Sequence, residues 1–172
     1  MFKWLFRWFH KKHNPGSPEA IATEVNTFSE GVRKLRLKHF TARELLTMGA
    51  SHNDSRSKGF GLNSCPPKIL WPKIYRLALV LDYIREKVDA PITLHSVYRN
   101  ERYNAAIGGA PLSQHKLGQA ADISSPTKSP DAVWLAAVRA RNKGIFEGGV
   151  GVYDTFTHID IRGERANWDR RS

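Results

Sequence analysis

Three side chains in the last third of the chain have the types and spacing of a metal site. The stretch Ser113-Gln114-His115-Lys116-Leu117-Gly118-Gln119-Ala120-Ala121-Asp122 puts an imidazole and a carboxylate close in sequence. Gly118 lets the chain turn tightly and Ala120 permits close backbone approach, so Asp122 can return toward His115. A second imidazole comes from Thr157-His158-Ile159-Asp160-Ile161-Arg162. On a strand, His158 and Asp160 share one face while Ile159 and Ile161 point to the core. Two imidazoles and one carboxylate are the donors of a catalytic zinc site whose fourth position is left for water. The same set also suits iron(II) in a non-haem oxygenase, and His158-x-Asp160 mimics the start of that motif. That arrangement needs a further histidine downstream, and none follows His158. The other histidines, His10, His13, His39, His52 and His95, read as surface or satisfied core residues.

These residues need a scaffold, and the sequence supplies one from about residue 40. Thr41 and Glu44 form a capping-box pattern before Leu45 and Leu46. Residues 51–70 are rich in Ser, Asn, Gly and Pro and read as a loop. Pro72 opens a helix with Ile74, Leu77, Leu81 and Ile84 at helical spacing, ended by Asp89-Ala90-Pro91. Residues 92–97 alternate like a strand. Residues 100–107 read as a short helix closed by Gly108-Gly109, and 119–123 as a short buried strand. Ser129-Pro130-Asp131 starts a helix that stops at Gly144. Residues 150–153 and 157–161 read as two strands in a hairpin-like arrangement. The expected fold class is α+β, a small antiparallel sheet carrying Asp122 and His158 with helices around it.

Composition narrows the setting. The chain has 172 residues, 41% hydrophobic and 25% charged, as in an ordinary globular domain. Its one cysteine, Cys65, can form no internal disulfide and no cysteine-rich zinc site. Lys and Arg number 27 against 16 Asp and Glu, a net charge of +11 that points to an anionic partner. The excess is spread along the chain and no zinc-finger, helix-turn-helix or RNA-recognition pattern accompanies it, so no specific nucleic acid is expected. The charge is densest at the N-terminus. Residues 1–13 combine Lys3, Arg7, His10 and Lys11 on one helical side with Phe2, Leu5, Phe6 and Phe9 on the other. This segment can lie on a membrane, dock on a partner or pack on its own domain. Lys3 and Arg7 interrupt it too soon for a transmembrane span or a secretory signal. The expected organisation is this segment, a linker and extension over 14–39, a catalytic domain over 40–163 and a polar tail over 164–172.

The pattern Ser-x-His-x-x-Gly-x-Ala-x-Asp, followed by Gly-Gly-x-Gly-x-Tyr and His-x-Asp-x-Arg, resembles the M15 zinc peptidases. It is most similar to the D-Ala-D-Ala carboxypeptidase-like group and related phage endolysin peptidases. The resemblance spans about residues 40–163, and His95-Ser96-Val97-Tyr98-Arg99 looks like that family's Ser-x-x-Arg strand end. It implies a hedgehog/DD-peptidase-like fold and one zinc ion held by His115, Asp122 and His158. It also implies Arg99 as the clamp for a substrate carboxylate and Ser113 in the same cleft. The implied substrate is a peptidoglycan peptide, cut at the bacterial cell wall, with a phage product among the compatible sources. Several branches of the family carry an acidic residue three before the last ligand or a histidine two before it. Here those positions are Thr155 and Phe156, which cannot take a proton. Asp160 is then the first candidate for general base and Asp154 the runner-up, while Asp160 serves equally as a partner orienting a zinc-bound histidine. A catalytically inactive zinc module that binds cell wall or a partner is the alternative.

Overall fold

The computed structural model describes residues 17–172. The basic aromatic segment 1–13 lies outside the described residues. Five strands form one sheet: β1 (Thr93–Ser96), β2 (Ala120–Ser124), β3 (Gly149–Val152), β4 (Thr157–Asp160) and β5 (Ala166–Asp169). Their order is β1-β2-β4-β3-β5. The first four pair antiparallel, as expected, but β5 runs parallel to β3. The sheet is therefore mixed at one edge, and the mixed α+β class holds.

Helices cover one face. α6 (Pro130–Asn142) lies against it, α4 (Trp71–Val88) lies against α6 and shares its core, and α1 (Pro18–Leu35) lies against α4. α2 (Ala42–Leu45), α3 (Ala50–Asn53) and α5 (Glu101–Ala106) are short. Alternation along the strands divides the sheet in two. Ala121, Ile123, Val150 and Ile159 join Leu77, Leu81, Ile84, Val133 and Ala137 in the core. The residues between them, Asp122, His158, Gly149 and Gly151, fall on the opposite face. Local signals act as the sequence suggests. Thr41 and Glu44 close a reciprocal capping box on α2, Ser129 caps α6 by accepting from the Ala132 N–H, and Asn100 caps α5 by accepting from the Tyr103 N–H. Among the described residues no helix is long and apolar enough to cross a membrane.

Two stretches differ from the sequence reading. Most of the presumed linker and extension is helix α1, started by Ser17 and Pro18 and stopped at Arg36 in a left-handed conformation. Its Phe28 is buried between Trp71, at 5.4 Å between ring centroids, and Tyr75, at 5.3 Å. The sequence carries the signal for this helix: Ser17-Pro18-Glu19 is a helix start, and Ile21, Val25, Phe28 and Val32 form one apolar stripe. The presumed polar tail contains β5. Only its edge position allows such a polar strand, since one side faces solvent.

Because Phe28 anchors α1 to α4, Phe28→Ala is expected to lower stability by about 3–5 kcal/mol in urea unfolding. A loss below about 1 kcal/mol would mean that α1 is peripheral to the domain.

Candidate metal centre

The register of the sheet brings the sequence-predicted residues together. Asp122 on β2 stands directly opposite His158 on β4. His158 stands opposite Gly151 on β3, and Gly151 opposite Trp168 on β5. On the other side, a bulge in β1 places Ser96 opposite Asp122. One transverse row thus runs across all five strands. His115 comes to it from a single 3-10 turn, Gln114–Leu117, that precedes β2. Gly118 ends this turn at φ 63°, a left-handed conformation that glycine adopts without penalty.

His115 Nε2, Asp122 Oδ1 and His158 Nδ1 converge. The donor atoms of the three side chains lie within 4.8 Å of one another, and all three residues are buried. Each imidazole is held from behind. His115 Nδ1 lies 3.0 Å from the Val97 carbonyl oxygen, to which it donates, so its Nε2 carries a lone pair toward the centre. That Nε2 sits 3.2 Å from Asp122 Oδ1 yet has no hydrogen-bond partner. A buried lone pair facing a carboxylate oxygen is unfavourable unless a cation lies between them. His158 Nε2 is 3.2 Å from Asp160 Oδ2, and its Nδ1 is 2.8 Å from Asp122 Oδ1. The donor set, its burial and the orphaned His115 nitrogen therefore fit a metal ion with two histidine ligands and one carboxylate.

The proton affinities follow from this crowding. Burial dominates at His115 and depresses its pKa despite the charge of Asp122. Burial also opposes protonation of His158, but Asp122 and Asp160 outweigh it and raise the pKa. At Asp122, burial favours the neutral acid, yet the two histidines hold the carboxyl well below its ordinary range. Asp122 is thus held as the carboxylate, the form that a cation requires.

Asp160 lies behind His158. It is fully buried, and Oδ1 accepts from the Gly149 N–H at 3.0 Å and from Arg162 Nε at 2.8 Å. Oδ2 accepts from Arg162 Nη2 at 2.5 Å as well as facing His158. Burial would raise its pKa, but Arg162, His158 and the Gly149 N–H together lower it far below the usual carboxylate value. This geometry orients the His158 ring through its Nε2. Asp154 lies exposed in the turn between β3 and β4 and faces Ser172. Neither carboxylate lines the cleft over the centre.

That cleft has a volume of about 450 Å³, and both Arg99 and Ser113 line it. Arg99 Nε donates to Ser96 Oγ at 2.8 Å, and its Nη2 pairs with Asp122 Oδ2. An aromatic wall that the sequence did not announce closes one side. Tyr153 and Phe156 stack at 4.2 Å between centroids and 10° between planes. Trp168 Nε1 donates to the Tyr153 hydroxyl at 3.1 Å, and its ring lies 5.2 Å from that of His158. A Cβ on Gly151 would fall 2.2 Å from Trp168 ring atoms, so the missing side chain seats the indole. The small residues of Gly149-Val150-Gly151 were the available signal for a large neighbour.

Asp160→Asn replaces the carboxylate behind His158 with a neutral amide. It is expected to weaken metal affinity about 10–100-fold, read by competition with a chromogenic chelator. Unchanged affinity would mean that Asp160 does not support the metal ligand.

A family model described as Peptidase M15 matches residues 38–160. A search of curated proteins gave no match. The match takes in most of the chain, including His115, Asp122 and His158, a buried cluster that could hold a metal ion. The chain belongs to the peptidase M15 family of metallopeptidases.

Proposed function

We propose that the protein is a zinc-dependent peptidase that hydrolyses peptidoglycan stem peptides, as a D-Ala-D-Ala carboxypeptidase or an endolysin-type endopeptidase. The observation that carries this reading is the orphaned His115 nitrogen converging with Asp122 and His158 on the floor of an arginine-bearing cleft. His115, Asp122 and His158 would hold one zinc ion. When bound, zinc lowers the pKa of water toward neutrality and polarises a carbonyl.

The chain's own residues do the rest. Val97 and Asp160 fix the two imidazoles, so the ligand lone pairs point to one place without reorganisation. Arg99 is held at Nε by Ser96 and at Nη2 by Asp122, and its Nη1 has no hydrogen-bond partner among the described residues. That nitrogen suits a substrate carboxylate in the cleft. Ser113 lines the same cleft without capping the turn it precedes, which leaves its hydroxyl for substrate. Asp160 faces His158 Nε2 and not the cleft, so its proposed part is to orient that ring rather than to move a proton. The net charge of +11 suits approach to an anionic wall.

A specific observation favours a second reading. Among the described residues the one carboxylate lining the cleft is Asp122, already engaged with Arg99 and His158. A zinc-containing module that binds the wall without cutting it would look like this.

Digestion of defined peptidoglycan fragments, read by mass, separates the two. A chelator is expected to abolish product formation and zinc to restore it, and His158→Ala is expected to abolish it permanently. No released amino acid or peptide at high protein concentration would favour the binding module. Arg99→Ala is expected to lower kcat/KM about 10–100-fold on substrates ending in a free carboxylate, with metal content measured in parallel. An equal loss on cross-linked substrates without such an end would contradict the clamp.

A further inference from the structure

The hydroxyl of Tyr153 stands in the cleft over the metal cluster with its proton uncommitted. Tyr153 directly follows β3. Its N–H donates to the Phe156 carbonyl oxygen at 3.0 Å, which carries the β3–β4 pairing one step beyond Val152 and Thr157. Alternation then puts Tyr153 on the face of Gly151 and Phe156 on that of His158, the metal side of the sheet. Their rings are the stacked pair of the aromatic wall. The Tyr153 hydroxyl accepts from Trp168 Nε1 at 3.1 Å. That nitrogen lies where a Cβ on Gly151 would intrude, and Gly151 stands opposite His158. The hydroxyl is therefore held low on the sheet, one strand away from a candidate metal ligand. An indole N–H can only donate, so the single phenol proton points away from it. Among the described residues nothing accepts that proton, and the cleft is the open space beside it.

We propose that Tyr153 donates a hydrogen bond to the carbonyl oxygen of the scissile peptide bond, and that this bond strengthens as the oxygen becomes the oxyanion of the tetrahedral intermediate. The inference rests on the peptidase reading and adds to it a side chain that touches the reacting atoms. Placement supports it. The strand order is β1-β2-β4-β3-β5, and Arg99, bonded to Ser96 of β1 and Asp122 of β2, flanks the cluster on one side. Tyr153, bonded to Trp168 of β5, flanks it on the other. A peptide held by its carboxylate at Arg99 brings its last peptide carbonyl over the cluster, toward the phenol. Rigidity supports it as well. The stack on Phe156 and the bond from the indole fix the hydroxyl before substrate arrives. A donor that need not reorient during the reaction acts mainly on the transition state. Phe156, which offers no polar atom of its own, contributes by carrying the face of the phenol. Tyr153 keeps its proton throughout. The bond formed joins the water oxygen to the carbonyl carbon, the bond broken is C–N, and one water proton ends on the departing amine.

Tyr153→Phe keeps the ring and its stack and removes only the hydroxyl. The first arm of the test needs no turnover. Phosphinic isosteres of the D-Ala-D-Ala and L-Ala-D-Glu bonds, which present tetrahedral anionic oxygens, are titrated calorimetrically into the zinc-loaded full chain. At least one is expected to bind, and Tyr153→Phe is expected to weaken it about 10–100-fold. Zinc affinity, read by chelator competition, is expected to stay unchanged. The second arm is hydrolysis of a stem peptide. There kcat is expected to fall about 100–1000-fold in Tyr153→Phe, with KM within about threefold of the wild type. A hydroxyl that merely props Trp168 would shift zinc affinity or KM instead, and a loss carried by KM alone overturns the proposal. Equal isostere affinity in wild type and variant, or no isostere binding at all, overturns it even where stem peptide is cleaved. Isostere binding that depends on the hydroxyl, without cleavage of any stem peptide, supports the donor and refutes the peptidase.

Discussion

The structure turns on the pairing of β2 with β4. Their register sets Asp122 opposite His158, and in a sheet a slip of one residue sends every side chain to the other face. A slip here would do two kinds of damage at once. Slipping β2 would drive Asp122 into the apolar core and Ile123 out of it, and slipping β4 would do the same to His158 and Ile159. The apolar core and the metal cluster therefore enforce the same alignment, each through alternate residues of the same two strands. The bulge in β1 and the paired glycines of β3 extend this row outward. Ser96 then steadies Arg99 on one flank, and Trp168 closes the other.

Such a cluster is costly for the fold that carries it. Asp122, Asp160, His115 and His158 are all buried, and charges taken out of water must be repaid by close partners. Arg99 and Arg162 make that repayment from opposite sides, one on each carboxylate. The result is a chain of alternating charge: Arg99, Asp122, His158, Asp160 and Arg162. A cation at the centre would join this chain where His115 presents an unmatched nitrogen. Its binding would be linked to the stability of the sheet, since the three side chains converge only when β2 and β4 are paired.

The parts legible in the sequence were those fixed by local rules. His115, Asp122 and His158 stood out because glycine, alanine and strand alternation restrict how the chain can run between them. The caps at Thr41, Asn100 and Ser129 were legible for the same reason. Two elements were missed although local signals were present. α1 has the Ser-Pro-acid start of α6, in Ser17-Pro18-Glu19, and Ile21, Val25, Phe28 and Val32 recur at helical spacing. β5 alternates as Ala166-Asn167-Trp168-Asp169, but over only four residues, too few to tell a strand from a tail. The aromatic wall escaped with it, since Trp168 meets Tyr153 only through a parallel pairing. The role of Asp160 was open in the sequence between proton transfer and support of His158. Its burial and its bonds to Arg162 and Gly149 now describe a side chain that faces His158 rather than the cleft.

The parallel strand has a further effect, apart from the site. Without β5, the strand Gly149-Val150-Gly151-Val152 would be the sheet margin, flat, uncharged and offering unpaired N–H and C=O groups to any other extended chain. Such margins recruit neighbouring molecules into intermolecular sheets. β5 covers that margin and replaces it with one bearing Asp169, followed by Arg170 and Arg171, whose charges resist strand addition. The same few residues that wall the cleft therefore also keep the molecule from templating its own aggregation.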